Sequence, residues 1–175
     1  MTSVAPLVLA RAFDWYRREG ILAEFKSANF VATLFPEPPD DLVGLLTEYA
    51  TSDERERQEF VVSIMKNYKG APIVHTVLRE LVAALPVDDP LLRSVRIALG
   101  ETGVMCGEFG HRDVLIDQQS ALNPWLTDER GPVRSFAEDL RSRLNNAVAA
   151  AQRTAEADMA MRKLAYDEPL DDVGG

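Results

Sequence analysis

The side chains best suited to chemistry in this sequence are Cys106, Glu108 and His111, a thiol, a carboxylate and an imidazole grouped around a glycine-bearing connection. They form the one cluster with metal-ligand residue types. Zinc takes four protein ligands, or three and a water, from a rigid site, and no second cysteine or histidine lies nearby to complete the set. Cys106 and His111 also have the types of a nucleophile and its base. However, glycines in a turn between helices have a backbone reason of their own, and no catalytic signature surrounds the thiol. The other histidine, His75, stands between Val74 and Thr76 in a helical pattern, where a packed or partly exposed helix position accounts for it. There is no glycine-rich phosphate loop after a strand, no HExxH and no nucleophile elbow. The paired carboxylates Asp40-Asp41 and Asp88-Asp89 fall where helices begin, and the positive end of the helix dipole explains them. The expectation is a protein that is not an enzyme, with no catalytic residues, no metal ligands and no cofactor.

Composition narrows the class. The 175 residues suit one ordinary domain. Their 46% hydrophobic and 27% charged content is that of a globular chain, not a disordered one. A net charge of -9 repels nucleic-acid backbones and anionic membranes, so neither is an expected partner. A single cysteine excludes an internal disulfide framework and suits a reducing compartment. The opening MTSVAPLVLAR lacks a basic residue ahead of its short apolar run, so it does not read as a secretory signal, and a cytoplasmic location is expected.

The elements that must position any site are helices. Leu9, Ala12, Phe13 and Tyr16 give a helix over about 6–19. Ile21, Leu22, Phe25, Phe30, Val31 and Leu34 give a second, with its aromatics in the core and an irregularity near Ser27 and Asn29. The breaker Pro36-Glu37-Pro38-Pro39 precedes a helix carrying Leu42, Leu45, Leu46 and Tyr49, with Asp40 and Asp41 as caps. Phe60, Ile64 and Tyr68 mark the next, ended by Gly70. Pro72 starts another, striped by Ile73, Val77, Leu78, Leu81, Val82 and Leu85 as far as Pro86. Asp88-Asp89-Pro90 opens a helix with Leu91, Leu92, Val95, Ala98 and Leu99 as its buried side. Val114, Leu115, Gln118 and Leu122 give a helix over about 112–122. The longest pattern runs from Pro132 to Tyr166, with Asp128 or Thr127 placed to cap it. Its buried line is Val133, Phe136, Ala137, Leu140, Leu144, Val148, Ala151, Ala155 and Met159. Residues 1–166 therefore read as a single all-α domain, and the acidic stretch 167–175 as a flexible tail.

Three helix starts share a layout: SDERERQEFV from Ser52, VDDPLLRSVRIAL from Val87 and TDERGPVRSFAEDL from Thr127. Their aspartates Asp53, Asp89 and Asp128 are 36 and 39 residues apart, a period that suggests repeated helix pairs. The run Asp128…Val133-Arg134…Ala137…Leu140 resembles the second helix of a HEAT-type repeat. Asp89…Val95-Arg96…Ala98 is a looser copy, and the copy from Ser52 lacks the Val-Arg pair. The resemblance covers about 40–145. It implies an α-solenoid of stacked antiparallel helix pairs, although a right-angled helical bundle gives the same pattern. The long C-terminal helix over 132–166 extends past the repeat.

HEAT-like proteins mostly serve as binding scaffolds, so the resemblance implies a non-enzymatic scaffold or adaptor that mediates protein–protein interaction. Arg93 and Arg96 share one helix face, as do Arg134 and Arg141, and equivalent helices would align the four as a basic protein-binding ridge. The alternative reading pairs Arg96 and Arg134 internally with acids at neighbouring helix starts. A second possible surface spans Pro36 to Phe60, with eight acids against two arginines. Two other functions stand beside the scaffold. One is a self-associating structural subunit that forms a homo-oligomer through the C-terminal helix and the small residues Ala147, Ala149, Ala150 and Ala151. The other is a HEAT-like nucleic-acid-processing protein, which the acidic charge disfavours.

Overall fold

The computed structural model describes residues 4–18, 21–101 and 110–167, with side chains for all of these except 21, 22, 110, 111 and 162–167. The elements are α1 (Ala5–Arg18), α2 (Ile21–Leu34), α3 (Asp40–Ala50), α4 (Arg55–Met65), a single 3-10 turn (Lys66–Tyr68), α5 (Pro72–Ala84), α6 (Leu91–Gly100), α7 (Gly110–Ala121), the one-turn α8 (Asn123–Leu126) and α9 (Gly131–Asp167). No strand occurs among the described residues. The chain is all-α, and its expected helices recur, most with boundaries moved by a residue or two; α4 ends at Met65, short of the expected Gly70, and the 3-10 turn carries Tyr68.

Local chemistry sets those boundaries. Pro39 precedes α3 with extended backbone and no side-chain cap. Asp40 and Asp41 instead lie in the first turn, where carboxylates meet the positive end of the helix, and the Leu42 N–H donates to Asp41 Oδ1 at 3.0 Å. After Tyr68 the backbone turns left-handed at Lys69 (φ 41°) and Gly70 (φ 79°), a reversal that glycine makes without strain. Pro72 then supplies the first residue of α5, and Pro86 follows its end. Helix α2 runs unbroken through Ser27 and Asn29, where an irregularity was expected. The buried Ser27 hydroxyl donates to the Glu24 carbonyl at 3.1 Å, so it is satisfied without disturbing the helix.

The helices pack as neighbours in chain order and as neighbours one element apart. Helix α1 lies on α2, α3 on α4 and α5 on α6, while α3 also touches both α1 and α5, and α4 touches both α2 and α6. At the far end α7, α8 and α5 all contact α9. Hydrogen bonds from Arg112 Nη1 to Gln152 Oε1 and from Gln119 Nε2 to Asn145 Oδ1, both 2.9 Å, make α7 and α9 antiparallel.

One continuous apolar cluster runs from Leu9 in α1 to Phe136 in α9. An aromatic knot joins its first part: the Phe60 ring lies 5.4 Å from Phe13 and 5.0 Å from Tyr16, and Phe13 lies edge-on to Tyr49 at 5.5 Å. The Arg57 guanidinium sits 4.7 Å from the centre of the Tyr49 ring, a geometry favoured by the ring's negative face. Further along, Trp125 packs against Phe136 at 5.9 Å and is itself buried.

Two expectations about burial need correction. Phe25 is 67% exposed and Phe30 40%, with Leu34 also exposed, so these three apolar residues of α2 lie outside the core. Helix α2 has apolar residues on more than one side, while the α-helices it packs on most among the described residues are α1 and α4; Phe30 has an edge-on contact with Trp15 at 6.5 Å but stays partly exposed. In α9 the buried residues are Val133, Phe136 and Ala137, and burial then declines to Met159, which is 40% exposed. This 37-residue helix is about 55 Å long at about 1.5 Å per residue. The shorter α5, α7 and α8 cover its first part, and the cross-link from Arg112 at Gln152 marks how far α7 reaches.

Candidate interaction surface

The aspartates singled out by spacing organise the ends of the helices. Asp89 Oδ1 accepts the Leu91 N–H at 2.7 Å and so caps the start of α6. Both its oxygens also accept from Arg55 Nη1, at 2.7 and 2.8 Å, which ties the first residue of α4 to the turn before α6. Asp128 repeats the arrangement before α9. Its Oδ1 accepts the Arg130 N–H at 2.9 Å, and its two oxygens take Arg130 Nε and Nη2, each at 2.8 Å. The same guanidinium reaches Glu80 on α5, with Nη1 2.6 Å from Oε2. The Asp128 side chain is only 9% exposed. The side-chain and backbone hydrogen bonds from Arg130 hold its carboxyl far below the ordinary carboxylate range. Asp89 is likewise lowered by Arg55 and the Leu91 N–H, against the opposing effect of its burial. Asp53, the first of the three, is exposed and makes no such contact among the described residues.

The four arginines of the expected ridge divide into two pairs. Arg96 on α6 donates to Asp139 on α9, with Nη2 3.1 Å from Oδ2, and its guanidinium lies 5.4 Å from the centre of the Phe136 ring. It staples two helices together. Arg134 folds back on the turn before its own helix, donating to the Asp128 and Glu129 carbonyls at 2.7 and 2.8 Å. Neither reaches an acid at a helix start; those acids are taken by Arg55 and Arg130. Arg93 and Arg141 are exposed and have no ion-pair partner among the described residues. Asp139 also pairs with Arg143, one turn further along α9, at 3.0 Å. In the acidic stretch before Phe60, Glu54 pairs with Arg57, Glu59 with Arg55 and Glu56 with Arg17 of α1. Much of that charge is spent within the fold.

Arg55, Glu80 and Arg130 were not singled out by sequence reasoning. The signal available for the two arginines was position: Arg55 and Arg130 each stand two residues after one of the three spaced aspartates, at Asp53 and Asp128. Cys106 and Glu108 lie outside the described residues, as does the His111 side chain. Among the described residues no group of three His, Cys, Asp or Glu side chains is placed to hold a metal ion, and no helix is long and apolar enough to cross a membrane. No family model, curated protein or solved structure matches the chain.

Proposed function

We propose that this protein is a HEAT-like helical-repeat scaffold that binds another protein through the face carrying α4, α6 and the first half of α9. The observation that carries this reading is the packing order, in which α3 touches α1 and α5 while α4 touches α2 and α6. Helix pairs stacked in register give that order, and stacking presents equivalent helices side by side. The Arg55–Asp89 link, between the starts of α4 and α6, fits two successive members of one layer. On this reading Arg93 and Arg141 are the outward cations that meet an acidic patch on the partner. Arg96 and Arg134 fix the helices that carry them. Affinity capture from the native host, repeated with the folded double variant Arg93→Glu/Arg141→Glu, tests it. Loss of a stoichiometric partner supports the reading, and full retention overturns this placement of the face.

A second reading, self-association through α9, is favoured by Met159 and Met161. Both are exposed on the part of the helix beyond Gln152. Light scattering decides this reading: a concentration-dependent dimer that a chain ending at Gln152 no longer forms supports it, and a monomer at high concentration excludes it.

A further inference from the structure

Along α1, Leu7, Arg11, Trp15 and Arg18 follow one another at steps of three and four and so share one face. Leu7 is 74% exposed, and Val4 just before the helix is 62% exposed. On α2 the exposed Phe30 and Leu34 share a face in the same way. The Trp15 ring meets Phe30 edge-on at 6.5 Å, which joins the two faces. Between them lies an open cleft of about 360 Å³, with Arg11, Asp14, Trp15, Arg18 and Phe30 in its lining. Asp14 pairs with Arg18 at 3.5 Å, so the charged groups of the lining leave Arg11 in excess. Exposed apolar side chains gathered around a cleft with a charged margin mark an interaction site.

The far end of the chain has the complementary make-up. Met159 continues, through Ala151 and Ala155, the line that Leu140 and Leu144 bury against the fold, yet it is 40% exposed. The cross-link from Arg112 at Gln152 marks the reach of α7, and residues 153–167 extend past it. At about 1.5 Å per residue that extension is about 22 Å long, close to the length of the 14-residue α1. Glu156 and Asp158 stand on either side of the Met159 line, and residues 153–175 hold six acids against three bases. Helix α9 packs mainly on α5, α7 and α8, and α1 on α2, α3 and α4. The cleft and the helix end therefore belong to different parts of the fold.

We infer that the α1–α2 cleft receives the end of α9 from a second copy of the chain, a step that rests on the self-association reading above and names where the helix docks. Met159 of the second copy enters the cleft beside Trp15 and Phe30, where its sulfur gains aromatic neighbours. A cavity of about 150 Å³ takes a benzene-sized guest, so this one has room for a methionine side chain. Glu156 and Asp158 of the second copy face Arg11. Exposed ion pairs contribute little by themselves, so the apolar contact supplies the affinity and the charges set the orientation. Both halves of the contact are present on this one chain. Each copy lends its helix end to the other, which closes a two-fold dimer. Arg93 and Arg141 take no part, so the dimer leaves those two cations of the proposed binding face free for a partner.

The test is sedimentation velocity of the full chain over a concentration series, with two variants that each spoil one half of the contact. Phe30→Glu spoils the cleft and Met159→Glu the helix end, and both positions are exposed enough for cooperative thermal melts to confirm the fold. Each variant alone should weaken the dimer about tenfold or more, and Arg11→Glu, at a fully solvated position, should weaken it several-fold. An equimolar mixture of Phe30→Glu and Met159→Glu keeps one intact contact, between the helix end of the first and the cleft of the second. It should form a one-to-one heterodimer more tightly than either variant pairs with itself. A full chain that stays monomeric overturns the inference together with self-association. A dimer that Met159→Glu abolishes but Phe30→Glu and Arg11→Glu leave unchanged overturns the cleft alone and keeps self-association through α9. Absence of the heterodimer in the mixture also overturns the cleft.

Discussion

Arg55, the first residue of α4, holds both carboxylate oxygens of Asp89 from a single nitrogen, at 2.7 and 2.8 Å, while Asp89 caps α6 through the Leu91 N–H. One aspartate thus starts a helix and ties it to an earlier one. The two roles separate by substitution. Asp89→Asn keeps an acceptor for the cap and loses the charge, at a cost of about 1 kcal/mol. Asp89→Ala loses both, at about 2 kcal/mol. Urea denaturation of the two variants checks this, and equal losses would show that the cap contributes nothing.

Asp128 makes stability depend on acid. Its folded carboxyl is held below the value of an unfolded aspartate, about 3.9, chiefly by the side-chain and backbone hydrogen bonds from Arg130. A lowered carboxylate stabilises the fold fully above the unfolded value, and that contribution is lost as pH falls through the folded one. Thermal melts should therefore fall steeply below about pH 4. In Asp128→Asn the neutral-pH stability should be lower and the acid slope shallower. A parallel pH profile for the variant would contradict the assignment.

The tyrosines carry the opposite dependence. Burial pushes Tyr68 up to about 12, and its hydroxyl donates to the Phe35 carbonyl at 2.8 Å. Tyr16 is also raised to about 12, by burial first and then by Glu24, Glu59 and Glu56. A raised phenol stabilises the folded state below its unfolded value, about 10, and this is lost as pH rises through the folded value. Spectrophotometric titration should thus show these two ionising late, together with the alkaline loss of helix. Tyr68→Phe should remove one late phenol and the Phe35 hydrogen bond.

Phe60 and Phe25 have the same side chain and opposite surroundings. Phe60 is fully buried in the ring cluster with Phe13 and Tyr16, and Phe60→Ala should cost about 3–5 kcal/mol. Phe25→Ala should change stability by less than about 0.5 kcal/mol, as exposed substitutions do. Paired denaturation curves measure both.

The sequence carries the helices and most of the core because the apolar stripe of an amphipathic helix is written at its own period. Leu42 and Leu46, or Val77, Leu78 and Leu81, follow it directly and are buried. It fails for Phe25, Phe30 and Met159 because burial depends on a neighbour, and the ends of a helical array lack one. Asp89 and Asp128 were legible from spacing, but their partners were not. Arg55 reaches Asp89 across 34 residues, and Arg130 reaches Glu80 across 50. Whether an arginine faces outward or folds inward depends on where another helix lies, so Arg93 and Arg96 look alike in sequence and differ in the fold.

Hydrogen exchange of the chain bound to its captured partner tests the proposed binding face most directly. The scaffold account predicts added protection on α6 and on α9 between about Arg134 and Asn145, around Arg93 and Arg141, and little change beyond Gln152. Protection confined to α1 and α2, or to the end of α9, would contradict it.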